Sequence, residues 1–158
     1  MSRLVCIGSA AALFVFAAIA GLEADHRAAT LAVTMTNDLV SNQIQVYDVG
    51  SRVLLQTLSA RGKGGVAGNA RGVKQYHDEI VAVVNNGSNT VAVYKHDGNG
   101  LSFDKLVTTT SAPVSVDFAN DHMYVAGATT VDSLAVREGD DMLERQPRFG
   151  RAPIGSHE

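Results

Sequence analysis

His77-Asp78-Glu79 and Asn120-Asp121-His122 each set a carboxylate beside an imidazole. Such a pair is the raw material of general-base chemistry, with the carboxylate orienting a ring that moves a proton. Both clusters, however, stand immediately before an apolar run and consist of residues that bond their own backbone or accept positive φ, so they are read as turns. Neither has metal-ligand spacing such as His-x-x-x-His, and no metal site is expected. A third feature is RGKGGVAGNARG, Arg61 to Gly72, with glycines at 62, 64, 65, 68 and 72. A phosphate loop needs a lysine followed by Ser or Thr and then a helix, and a dinucleotide loop needs a strand, a tight turn and a helix. Here Lys63 precedes two glycines and a strand-like run follows Gly72, so neither motif is met and no cofactor is implied.

The elements that would position these residues are short and apolar. Ile80 to Val84 is apolar on both faces, which suits a strand covered above and below. Asn-Asn-Gly-Ser-Asn then reverses the chain into a second run, Thr90 to Tyr94, making a hairpin. NQIQVY at Asn42 echoes NTVAVY at Asn89, and DSLAV at Asp132 echoes both faintly; these starts lie 47 and 43 residues apart. Each copy follows an apolar run (LAVTM, IVAVV, MYVAG) and precedes a third (RVLLQTL, LSFDKLV and, weakly, DMLERQ). PVSVDF at Pro113 shows a fourth run opening the unit, with Val114, Val116 and Phe118 alternating with Ser115 and Asp117. Four short strands in about 40 to 50 residues is the arithmetic of β-propeller blades. The competing architecture is a β-sandwich with similar hairpins.

The fold class read from this is all-β: roughly two and a half to three four-stranded antiparallel blades of a larger propeller, spanning 25–138. The first blade lacks its innermost strand, and 139–158 reads as an irregular or disordered tail. With 158 residues, one domain is the expectation. Propellers close with 4 to 8 blades, so the chain is read either as a fragment of a longer product or as a unit that assembles. Open sheet edges would in either case favour self-association. A formal net charge of −3 and the absence of a basic cluster argue against nucleic acid as a partner.

In this arrangement the glycine-rich segment is a long connection from an outer strand to the next inner strand. It shares a face with the Asn86 turn, and the two His-containing turns lie on the opposite face. Arg61, Lys63 and Arg71 would bring positive charge to the loop face, where ligands tend to bind; a solvated loop is the alternative. Arg71 is the best candidate for an anion contact, with Asn37 and Asn86 as weaker polar contacts. Asn86-Gly87-Ser88 is also an N-glycosylation sequon.

Residues 1–24 read as a signal peptide, with Arg3 in the basic region, an apolar stretch from Leu4 to Ala20, and Ala18-Ile19-Ala20 or Leu22-Glu23-Ala24 before the cleavage point. The alternative, a membrane anchor, would have an apolar run at the lower limit of a span. After leader cleavage no stable membrane span is expected, and the location is secreted or periplasmic. Cys6 is the sole cysteine and lies in the leader, so the mature chain has no thiol chemistry.

MTND with QIQVYD, RGKGGVAGNARGV, VAVVNNGSNTVAVY with its following Asp-Gly-Asn-Gly-Leu, and SAPVSVDF together resemble the lactonase-type seven-bladed β-propeller family, which includes 6-phosphogluconolactonases and carboxymuconate cyclases. The resemblance covers about two thirds of the chain. It implies either hydrolysis of a sugar lactone or cycloisomerisation of a carboxylated muconate, small anionic substrates held by arginines at the channel mouth while a His or Glu moves a proton. No family catalytic residue is matched here. The alternative is a non-catalytic propeller serving as a binding or interaction module, and a further one is a truncated product without function. N-terminal sequencing of protein recovered from a secreting host is expected to begin near Gly21 or Asp25; a product that retains Arg3 would reject the leader.

Overall fold

The computed structural model describes residues 30–65, 71–98, 100–136 and 143–145. Eleven strands are present among them: β1 (Leu31–Met35), β2 (Gln43–Asp48), β3 (Leu54–Ser59), β4 (Val73–Tyr76), β5 (Ile80–Asn85), β6 (Thr90–Asp97), β7 (Gly100–Thr108), β8 (Pro113–Ala119), β9 (His122–Gly127), β10 (Val131–Val136) and β11 (Leu143–Arg145). One turn of 3-10 helix, Asn86–Ser88, joins β5 to β6. The strands form three antiparallel sheets in chain order, β1-β2-β3, β4-β5-β6-β7 and β8-β9-β10-β11. The leader, 1–24, lies outside the described residues. Leu143–Arg145 falls inside the stretch expected to be irregular, at the DMLERQ run, and pairs with β10; the rest of that stretch also lies outside the described residues.

The second sheet is the middle layer. All six residues of β5 are buried, and so are Val91 to Tyr94 of β6. Alternation sends Val81, Val83, Ala92 and Tyr94 to one face, where they meet Ile44 and Val46 of the first sheet. Ile80, Ala82, Val84, Val91 and Val93 turn to the other face and meet Val116, Met123, Val125 and Leu134 of the third. The doubly apolar run therefore has its physical cause: a strand with a sheet on each side has no face left for polar groups. Each buried Val, Ile, Leu or Met among them contributes about 1.5–3 kcal/mol through burial, and the alanines less.

The NQIQVY and NTVAVY echo is also a backbone echo. The ladder between β2 and β3 slips after Val46, leaving Leu55 as the extra residue; that between β6 and β7 slips after Val93, leaving Asp104 extra. A bulge at the same place in both units bends the outer strand alike. Because β2 corresponds to β6, the first sheet holds, among the described residues, counterparts of β5, β6 and β7 and none of β4.

The third unit departs from the echo. Between Tyr76 and Ile80 the chain uses three residues to turn, but between the paired Ala119 and His122 only two. Between Asn85 and Thr90 it uses four, but between Gly127 and Thr130 only two, closed by a 2.8 Å bond from Gly127 N–H to the Thr130 carbonyl. On the face toward the preceding sheet, Val81 opposes Tyr94 in the second unit and Met123 opposes Leu134 in the third. The match to Tyr94 is thus 40 residues on, not the 43 that DSLAV suggests. A difference of three residues reverses which face each side chain takes.

Between the first and second sheets lie two fully buried amides, Asn42 and Asn85. Asn42 Nδ2 donates to Asn85 Oδ1 at 2.9 Å and to the Val84 carbonyl at 3.2 Å, while Asn85 Nδ2 donates to the Ala60 carbonyl at 2.7 Å. Asn42 Oδ1 accepts the Asn37 N–H at 2.9 Å. Asn85→Ala would remove one of the two bonds donated by the buried Asn42 amide and the side-chain donor to the Ala60 carbonyl, and is expected to lower the unfolding free energy by about 2–4 kcal/mol. Thr57→Ala on the exposed side should stay within about 0.5 kcal/mol. Urea denaturation of the two variants beside the parent checks this.

Candidate functional site

The loop face gathers the β1–β2 turn, the segment after β3, the β5–β6 turn and the β7–β8 connection. Residues Arg61 to Gly65 run between the first two turns and are bonded to both. Gly64 N–H donates to the Asp38 carbonyl at 2.6 Å, Gly65 N–H to Asn37 Oδ1 at 3.0 Å and Lys63 N–H to Ser88 Oγ at 2.7 Å. Gly87 N–H donates back to the Gly64 carbonyl at 2.9 Å. A Cβ on Gly65 would overlap Asn86 Oδ1, and one on Gly87 would overlap the Gly64 carbonyl oxygen. Close backbone approach between neighbouring sheets explains these two glycines without a phosphate to cradle.

Of the three residues selected from sequence, two are brought together here. Asn37 Oδ1 holds Gly65 from one side; Asn86 packs on Gly65 from the other, and its Nδ2 donates to the Pro113 carbonyl of β8 at 3.0 Å. Asn37 also takes positive φ, 54°. Both side chains therefore tie adjacent elements. Asn86 Nδ2 is the atom a glycan would occupy, so the sequon is engaged in the folded chain. The sequence offered a sign for the Asn42 and Asn85 pair as well, a polar residue bordering a strand-like run, but which sheet it would face was not legible.

Arg71 stands apart from them. Its carbonyl accepts the Val116 N–H at 3.1 Å, and its guanidinium reaches Asp117 of β8 at 3.2 Å. Lys74 Nζ lies 2.9 Å from the other Asp117 oxygen. Two cations, Arg71 before β4 and Lys74 within it, thus share one carboxylate of β8. All three are substantially exposed, so water screens each pair and neither adds much to stability. The Lys74 ammonium, then the Phe118 N–H, hold the Asp117 carboxyl below the usual carboxylate range, with Arg71 adding least.

The expected convergence of Arg61, Lys63 and Arg71 does not occur. Arg61, also at positive φ, folds toward the outer strand with its guanidinium carbon 3.7 Å from the Phe103 ring centroid. Beneath it Tyr94 packs edge-on to Phe103 and donates its hydroxyl to the Ser59 carbonyl at 2.9 Å. Burial pushes the Tyr94 hydroxyl well above the ordinary phenol range, against a smaller opposite pull from Arg61.

The His-containing turns lie on the opposite face. His77 and Asp78 (φ 48° and 57°) and Asn120 and Asp121 (φ 47° and 56°) are the paired central residues of tight turns that match strand twist. Tyr76 OH donates to Asp121 Oδ1 at 2.7 Å, joining the two turns, and His122 Nδ1 bonds the Asn120 carbonyl at 2.8 Å. Among the described residues no three His, Cys, Asp or Glu side chains gather as a metal site would require, and no helix is long and apolar enough to cross a membrane.

No family model matches the chain, and no curated protein does. Among solved structures it is similar to a functionally unknown protein from Desulfotomaculum acetoxidans DSM 771, at 14% identity and a TM-score of 0.43. That likeness covers 74% of this chain, which spans 51% of the length of the other.

Because the folded Asp117 carboxyl is depressed, its contribution to stability is present above the unfolded value and fades as pH falls through the folded one. Carboxyl NMR titration should show Lys74→Ala raising the Asp117 midpoint more than Arg71→Ala does. Gly65→Ala is expected to cost about 1–3 kcal/mol by overpacking in a denaturant titration.

Proposed function

We propose that this chain is a non-catalytic binding module built of propeller-type blades, acting outside the cytoplasm and presenting its surface to a partner. The observation that carries the reading is the engagement of the loop-face amides in structure: Asn37 holds Gly65 and Asn86 holds the Pro113 carbonyl. His77 and His122 sit in turns on the other face, and the carboxylate beside Arg71, Asp117, is already shared with Lys74. The blade assignment is supported by three meanders in chain order, each packed face to face on the next, by the recurring bulge, and by β4 lying next to both β1 and β8. Secretion rests on the leader-like composition of 1–24.

A second reading follows from Arg71 and Lys74, whose two positive charges meet one carboxylate. A small anion, the kind of ligand a lactonase-like propeller takes, would find net positive charge there. The two readings part in one assay. Incubated with 6-phosphogluconolactone or carboxymuconolactone, the chain is expected to give no hydrolysis or isomerisation above the uncatalysed rate. Turnover that Arg71→Ala removes would establish the enzymatic reading in its place.

A further inference from the structure

The two outer edge strands with described side chains are unequally protected. In β7 the bulged residue is Asp104, with Lys95 Nζ at 3.5 Å and Lys105 Nζ at 3.9 Å from its carboxylate oxygens. Charge and a bulge together are how sheet edges avoid pairing with other chains. In β3 the same bulge carries Leu55 instead, and the strand LLQTLS has no charged residue. Val53, Leu54 and Leu55 are 53%, 45% and 42% exposed, and among the described residues β3 has β2 on one side and no strand on the other.

The ends of this edge are positive. Arg52 precedes it at positive φ, and Arg61 follows it, held over the Phe103 ring. Among the described residues neither is ion-paired; the nearby Asp48 carboxylate accepts the Gly50 N–H at 2.6 Å and the Ser51 N–H at 3.2 Å. The two arginines are nine positions apart, or about 30 Å of extended chain at about 3.3 Å per residue. Antiparallel pairing of β3 with its own copy, centred on the strand, would set Arg52 against Arg61 at both ends. Like charges so placed oppose a second copy and favour an occupant of opposite sign.

We propose that the free edge of β3 is a docking site for an extended segment of another protein, apolar or Thr/Val-like at its centre and acidic at both ends, which adds to the first sheet as an outer strand. Main-chain hydrogen bonds would supply affinity, and Arg52 and Arg61 would set register and choice of partner. The inference rests on the binding-module reading and names its surface and partner class.

The test uses two synthetic eight-residue peptides of alternating Thr and Val, one with Asp at both ends and one with Lys, each dye-labelled and titrated with the full chain by fluorescence anisotropy. The acidic peptide is expected to bind at least about tenfold more tightly than the basic one. The double variant Arg52→Glu, Arg61→Glu should reverse that order. Leu55→Lys, which places a charge at an exposed edge position, should weaken both, and Val131→Ala, on the third sheet, should change neither. No binding of either peptide, or equal binding indifferent to Leu55→Lys, overturns the proposal. So does sedimentation showing a dimer that Leu55→Lys dissociates, since the occupant would then be a second copy. Lactone turnover would remove the module reading independently of the peptide results, and peptide silence without turnover would remove only the docking site.

Discussion

The middle sheet has to be covered on both faces. Ile80 to Val84 and Val91 to Tyr94 leave no polar side for water, so the chain gains stability only when one sheet lies on each side. The rest of the architecture answers that requirement. The first sheet supplies Ile44 and Val46, the third supplies Val116, Met123 and Val125, and each outer sheet keeps a more polar or small-residue face on its far side. A two-layer sandwich would leave one face of β5 and β6 in water, which is why that alternative does not suit this sequence.

Flat apolar faces slide, and what holds these in register is polar. The Asn42 and Asn85 amides sit at the end of the apolar layer, each satisfying backbone groups that burial would otherwise orphan. Beside them the Gly64 and Gly65 backbone threads between the Asn37 and Asn86 turns at distances that exclude side chains. The loop that looks most like a ligand cradle is therefore a joint between sheets. Such a joint also limits where chemistry can be placed, because its amides and carbonyls already have partners.

Repetition in the backbone and repetition in the letters are not the same. The first two units agree in both, down to the slip after Val46 and after Val93. The third keeps the sheet order but shortens its hairpin turns, so its core-facing pairs no longer fall at the spacing of the sequence echo. At the outer edges the contrast is chemical: Asp104 and Leu55 occupy one structural position, and only the first guards its strand.

The sequence by itself determined the strands, their pairing in chain order and the turn at each hairpin, because period-two burial and φ-tolerant residues are local properties. Asn86, Asn37 and Arg71 were legible as polar groups near one loop face, since chain direction alternates from strand to strand. Only the tertiary structure decided what they do there. Asn86 bonds a carbonyl 27 positions away and Arg71 a carboxylate 46 positions away, and partners at such separation are chosen by how sheets stack. The same holds for Arg61, which the loop's composition grouped with Lys63 and Arg71 and which stacking on Phe103 draws to β7 instead.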